Sequence, residues 1–332
     1  MTDGRISSDP SSVAVGDPFL GVDASLQTGG ADDQLQMPQL GEYGSESGSE
    51  QGGGTWRMIG RAFVENKMAL LGLALVVLVT LFCFVGPLLY HTDQVHSTLN
   101  TNLPPSGQHP LGTDYEGFDI LGRLMEGGQS SIEIGFAVAC VATTFGVLWG
   151  AISGFFGGVL DATMMRVVDV IYAIPAIFLF IFLASVYEPS LVMLIVVISA
   201  LSWVGPARLI RGEALSVRTR EYVQAARVMG ARPGRIILRH LVPNSMGTIV
   251  VNATFQIADA ILLLATLSFL GFGLPPPAPS WGAMLSNGTN YLYDGYWWEI
   301  YPAGIAIVLT VIAFNFIGDA LRDSLEVRLQ RR

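Results

Sequence analysis

The chain has 332 residues, 51% of them hydrophobic and only 14% charged, with a mean hydropathy of +0.49. That is too apolar for an average soluble domain and predicts an all-α polytopic membrane protein. No stretch builds a basic groove with interleaved aromatics, which argues against a nucleic-acid partner.

The net charge of −9 is local: nine of the 27 acidic residues fall within residues 1–55, against Arg5 alone. That segment is rich in Gly, Ser, Asp, Glu and Gln, with too little apolar content to offset ordering entropy. It is expected to be an acidic, disordered cytoplasmic tail. No charged n-region, apolar core and cleavage site follow one another in it, so it does not read as a secretory signal. The only lysine, Lys67, lies in Glu65-Asn66-Lys67-Met68 with no glycine-rich turn before it. A phosphate-cradling loop needs that turn, so any ATP that drives this protein binds to another subunit. Cys83 and Cys140 sit in apolar runs, where thiols are packing residues, and neither a disulfide nor a metal ligand is inferred.

Residues 56–130 form a first unit, a span from Met68 to Tyr90 followed by an outer loop. About 20 apolar residues cross a bilayer as a helix, and Arg57, Arg61 and Lys67 before the span place the N-terminus inside. The loop, residues 91–130, has one base, Arg123, and its His91, His96 and His109 match no zinc spacing. Residues 131–332 then supply five more spans. The second, about Ile132 to Phe156, carries Gly146, Gly150 and Gly154 at four-residue spacing, a face that lets helix backbones approach closely. Glu133 is expected at its outer end. The third, Val167 to about Tyr187, has Asp169 three residues after Arg166, a spacing that permits an ion pair on one helix face, and a kink-prone Pro175. The fourth, about Leu191 to Ile210, contains Trp203 and Pro206. Both prolines suit either a moving helix or a static kink.

Eight arginines lie between Arg208 and Arg239, against Glu213 and Glu221, so this loop is expected on the cytoplasmic side. Within it, residues 221–229 favour a helix with a small-residue patch at Ala225 and Ala226. Gly230 closes that helix, Pro233 opens a second, and the second is expected to end before Pro243. Helix, glycine elbow and helix make a rigid knob, and the alanines let a partner surface come close. The fifth span, about Gly247 to Leu270, carries Asp259, an intramembrane carboxylate and hence a candidate for a translocation path or for an interhelical bond. The outer loop from Leu274 to Tyr301 clusters Tyr291, Tyr293, Tyr296, Trp297, Trp298 and Tyr301, read as an interfacial aromatic belt or a docking surface. The sixth span, about Pro302 to Phe316, returns to the cytoplasm.

Several strings carry a family resemblance. Gln224-Ala225-Ala226, three residues, Gly230, nine residues, then His240-Leu241-Val242-Pro243 resembles the EAA loop of ABC-importer permeases, with Gln for Glu, His for Ile and Val for Leu. His240 with Pro243-Asn244 is similar to the dipeptide/oligopeptide/nickel branch. His109-Pro110-Leu111-Gly112-Thr113-Asp114, Leu267-Ser268-Phe269-Leu270-Gly271-Phe272-Gly273 and Gly318-Asp319-Ala320-Leu321-Arg322-Asp323 follow in the family's order. That branch usually has a Glu at the position of Leu264, and an Asp-Pro-Arg where this chain has Glu326-Val327-Arg328, so the C-terminal helix is expected to run on.

The resemblance implies a type I ABC importer permease (MetI-like) fold of six transmembrane helices in a bacterial inner or plasma membrane, with both termini cytoplasmic. It implies a loop at about 213–245 that docks on an ATPase through Glu221, Gln224, Ala225, Ala226, Met229, Gly230, His240 and Pro243. It also implies as partners a second homologous permease, two ATP-binding subunits holding ATP and Mg, and an external solute-binding protein. No catalytic residue, cofactor or metal is expected on this chain. Asp259 and Asp169 are the candidates for the path of a peptide substrate. An ion-coupled secondary transporter using those two acids as a relay, or an importer of nickel or another small solute, stays open as an alternative.

Overall fold

The computed structural model describes Gly60 and residues 63–330; the acidic tail expected over residues 1–55 lies outside the described residues. The described residues are helical, and a lone bridge between Thr113 and Asp119 is the one β-type pairing among them. Four helices are long and apolar enough to cross a membrane, and six spans result if each of two bent helix pairs counts as one. That agrees with the six expected.

Helix α1, Lys67–Leu89, begins at Asn66, whose side-chain oxygen accepts from the Met68 and Ala69 amides at 2.9 and 3.4 Å. Helix α2, Ile120–Phe156, is the axis of the fold, the most deeply buried of the four unbroken spans. It has 37 residues, roughly 55 Å at 1.5 Å per residue, against a hydrocarbon core of about 30 Å. It starts twelve residues before the expected Ile132, so Glu133 lies well inside the helix rather than at its start. The reason is tertiary. Asp119 caps it, accepting from the Gly122 amide at 2.9 Å, and the outer loop covers its first turns. Polar Arg123 is thereby buried against Asp114 at 3.0 Å and Glu116 at 3.2 Å.

The third span is two helices, α3 (Gly158–Ala173) and α4 (Ala176–Val186), bent by 77° where Pro175 removes an amide and holds Ile174 extended. The fourth is α5 (Leu191–Ser202) and α6 (Val204–Val217), bent by 41° at Trp203. Here Pro206 acts at a distance: its ring and missing N–H forbid the bond to the Ser202 carbonyl four residues back, so the break falls there. The fourth span also runs seven residues past the expected Ile210.

Residues 221–245 make the connection to α10 (Met246–Phe269). Beyond α10, the short helix α11 (Trp281–Thr289) and turns at Leu292–Asp294 and Trp297–Glu299 form a cap at the end of the bundle opposite the knob. Within the aromatic cluster of this loop, Trp298 is buried and donates to the Thr113 carbonyl at 3.3 Å, while Tyr291 stacks on Tyr115 at 5.5 Å. Part of the cluster is thus the core of the cap rather than a belt. Tyr293 and Trp297 remain exposed. The last helix, Tyr301–Gln330 (α12 after the short α7–α9 described below), continues well past Phe316, as the Glu326-Val327-Arg328 reading anticipates.

The glycine face of α2 meets α6. A Cβ on Gly146 would sit 2.6 Å from the Trp203 carbonyl oxygen, one on Gly150 2.2 Å from that of Ala207, and one on Gly154 2.7 Å from that of Arg211. Backbone packs on backbone along two turns, as the spacing predicts. Polar links among α2, α3 and α6 differ from expectation. Asp169 pairs with Arg208 at 2.7 Å, not with Arg166, and Asp161 is gripped by Arg211. Partners 39 and 50 positions away became available because α6 packs alongside α3.

Candidate functional site

Two features stand out. The first is the tip of the connection between α6 and α10. Helix α7, Glu221–Val228, is amphipathic with a three-residue step: Val223 and Ala226 point inward, into a core with Phe155, Val217, Ile236, Ile237 and Leu241. Its end is closed by two crossed bonds, from the Ala231 amide to the Ala226 carbonyl at 3.0 Å and from the Gly230 amide to that of Arg227 at 2.9 Å. This is the Schellman arrangement, and it puts Gly230 at φ +80°. A Cβ there would meet nothing within 4 Å, so the backbone angle alone calls for glycine.

Val228 and Met229, next to the elbow, are 89% and 80% exposed. Glu221, Gln224 and Ala225 are exposed on the same outward side, as is Pro243 further on, and His240 is half-buried with its ring 6.1 Å from that of Tyr222. Of the eight residues expected at a docking surface, Ala226 is therefore the exception. At 6% exposure it packs inside this chain, and the small side chain is required by the contact of α7 with its own bundle. Arg227 stacks over Phe155 at 4.5 Å and helps hold α7 to the end of α2.

The second half of the connection does not stop before Pro243. Helix α8 (Pro233–Ile236) leads into a π turn at Ile237–Leu241 and then α9 (Val242–Asn244). The Val242 amide bonds to Ile237 five residues back, and this one-residue expansion lets the proline ring pass without breaking the column. Ser245 then donates to Leu241 and Val242, and α10 begins one residue on. Only the turn residue Ser245 separates the second half of the knob from the fifth span. The expected boundary of 213 is also too early, since Glu213 belongs to α6, where it accepts from Thr248 at 3.1 Å.

The second feature is a cavity of about 430 Å³ lined by Tyr172, Pro175, Ser202, Gly205, Gln256 and Asp259 among others. Both helix bends open onto it. Asp259 faces it, whereas Asp169 is outside its lining and is occupied by Arg208, itself stacked on Tyr172 at 4.5 Å. The two candidate path acids are thus not equivalent. Gln256 was not singled out by sequence, although it sits three residues before Asp259 on the same helix face. Among the described residues no group of three or more His, Cys, Asp or Glu is placed to hold a metal ion.

Comparison with known proteins places the chain in a family. Residues 146–331 match the binding-protein-dependent transport system inner membrane component, and residues 54–105 match the N-terminal TM domain of oligopeptide transport permease C. The oligopeptide transport system permease protein OppC of Bacillus subtilis (strain 168) is 39% identical over 83% of this chain and 90% of that relative. The dipeptide transport system permease protein DppC of the same organism is 37% identical, over 82% and 85%. OppC of Escherichia coli (strain K12) is 37% identical, over 85% and 94%. Among solved structures, the inward-facing MetNI methionine ABC transporter matches with TM-score 0.51 at 21% identity, covering 61% of this chain and 96% of that one, a likeness of fold.

Proposed function

The chain belongs to the binding-protein-dependent transport system inner membrane components, and we propose that it forms one half of the translocation path of an ATP-driven importer of di- or oligopeptides. The observation that carries this reading is the tip of α7. Two neighbouring apolar side chains, Val228 and Met229, stand exposed among arginines, beside the glycine elbow that joins α7 to the helices leading into α10. A monomer gains nothing by presenting them to water; a protein partner that covers them does.

The partner is an ATPase subunit. ATP and Mg bind there, and ATP hydrolysis belongs to that subunit, while this chain does no covalent chemistry. Closure of two ATPases carries the knob of each permease with it. Because α7 is locked to α2 and α6 through Val223, Ala226 and Arg227, and only Ser245 separates α9 from α10, the displacement reaches the bundle as a rigid motion. The bends at Pro175 and Trp203 supply segments that reorient around a central path. A second, homologous permease completes that path, an external solute-binding protein delivers the peptide to the capped face, and both termini of this chain lie in the cytoplasm.

The test is co-purification from detergent of the full complex, wild type beside Met229→Glu. The ATPase subunits are expected to follow the wild type and to be lost from the variant, while helix content stays unchanged. Equal retention by both would remove the coupling role from this tip.

A further inference from the structure

The two breaks in the third and fourth spans and the carboxylate of the fifth meet at one place. Pro175 lies at the bend between α3 and α4 and Ser202 at the bend between α5 and α6, and both line the cavity that Gln256 and Asp259 reach from α10. Asp259 is the one charged residue of α10, and it is exposed on the surface of this chain. A carboxylate turned to hydrocarbon is strongly unfavourable, so its side of the helix faces water or a cation. Among the described residues lining the cavity there is no Lys, Arg or His. Arg208, one ring away behind Tyr172, is held by Asp169.

The backbone adds negative potential of its own. Helix α3 ends at the cavity wall with the negative end of its dipole, where Ile171 accepts from Ile174 at 3.3 Å and Pro175 has no N–H to offer the carbonyls around it. Broken-helix C-termini beside an intramembrane acid are a recurrent way to receive a cation within a bilayer. The volume, about 430 Å³, is within the range of small-molecule sites, and the rest of the lining is largely apolar.

We propose that this cavity is a cation-accepting station on the path, in which Asp259, assisted by Gln256 and the carbonyl end of α3, receives the α-ammonium group of the peptide. This deepens the importer reading and rests on it. The α-ammonium is the charge that every free peptide presents whatever its side chains, so a site that grips it and leaves the remainder to apolar walls imposes no sequence requirement. Asp259 is on this view a substrate-binding residue, and Asp169 a structural partner of Arg208.

The experiment uses the complete importer in proteoliposomes, with Ser202→Cys placed on the cavity wall and the complex without that change as background. Modification by a cationic aminoethyl methanethiosulfonate is compared with that by its anionic sulfonatoethyl counterpart. The cationic reagent is expected to be favoured about tenfold or more over its preference at a free thiol, a preference that Asp259→Asn removes. An equal ratio with and without Asp259 overturns the proposal. In a second arm, trialanine is expected to shield Cys at position 202, and N-acetyl-trialanine at the same concentration is not. Equal shielding by both, or shielding by sodium ions alone, overturns the assignment to a peptide ammonium. Failure of the importer reading looks different: the wild-type complex would then show no ATP-driven uptake, whatever the thiol chemistry reports.

Discussion

Arg211 holds Asp161 in a two-pronged grip, Nε to Oδ1 at 2.6 Å and Nη2 to Oδ2 at 2.7 Å, with Ser153 of α2 donating to the same carboxylate. One acid thereby ties α2, α3 and α6 together near the knob. The planar guanidinium is what makes both bonds possible at once, and a lysine offers only a point charge. Arg211→Lys is therefore expected to destabilise the fold by roughly 1–2 kcal/mol, and Asp161→Ala, which strands a partly buried Arg, by roughly 3 kcal/mol. Thermal unfolding of the purified protein in detergent reads both, and equal midpoints for all three proteins would show the grip to be energetically idle.

The contact between α2 and α6 makes a sharper prediction, because it opposes two glycine-to-alanine changes. At Gly150 a Cβ would lie 2.2 Å from the Ala207 carbonyl oxygen, a backbone atom that cannot step aside. At Gly212, on α6 itself, a Cβ meets nothing within 4 Å. Gly150→Ala is expected to lower the yield of folded protein severely. Gly212→Ala is expected to be neutral or to stabilise by up to about 1 kcal/mol through helix propensity. Detergent melting curves of the two variants side by side decide the matter, and similar losses from both would mean that the close approach of α2 and α6 is not what holds them.

Ala226 and Ala225 are neighbours with opposite roles. A glutamate at Ala226 would bury a charge among Phe155, Ile236 and Leu241, so Ala226→Glu is expected to unfold the knob and lower stability by several kcal/mol. Ala225→Glu, on the exposed side of α7, is expected to leave the melting temperature within a degree or two while weakening ATPase co-purification. Limited proteolysis at the arginines of residues 218–239 separates the cases, since only the unfolded knob becomes cleavable. Rapid cleavage of both variants would contradict the inward and outward assignment.

Gly230 is held by its backbone angle alone. Gly230→Ala is expected to cost about 1 kcal/mol, the ordinary penalty of a left-handed Cβ-bearing residue, with uptake reduced but present. Gly230→Pro cannot reach φ +80° and also deletes the amide that bonds to Arg227, so uptake is expected to vanish while membrane insertion persists. Transport assays on membranes with matched amounts of inserted protein provide the check, and full uptake by the proline variant would discount the elbow.

Much of this was legible from residues alone, for identifiable reasons. Apolar runs of about 20 residues have one use in a bilayer, and the six that length and composition pick out match the helices and bent helix pairs of the fold. The glycine repeat of α2 announces a close helix contact by spacing, and Gly230 and Pro233 announce an elbow by the angles they favour. The helix, elbow and helix of the Gln224-to-Pro243 string were recognisable because such a knob is a local object, specified by neighbours in sequence.

What sequence left undecided were relations between distant segments. Asp169 and Arg166 share a helix face, yet Asp169 bonds to Arg208, and nothing in a helical period foretells which other helix lies alongside. Pro206 is visible in sequence, but the break it causes lies at Trp203, and only the packing of α6 on the glycines of α2 sets the direction of the bend. Ala226 and Ala225 look interchangeable until the inward side of α7 is known. The chain by itself determined the number of spans and the position of the knob, since hydropathy and backbone preference act locally. The tertiary structure alone decided which alanine is inside, which acid is paired and which acid opens onto the cavity, since burial and ion pairing depend on what the fold brings within a few ångströms.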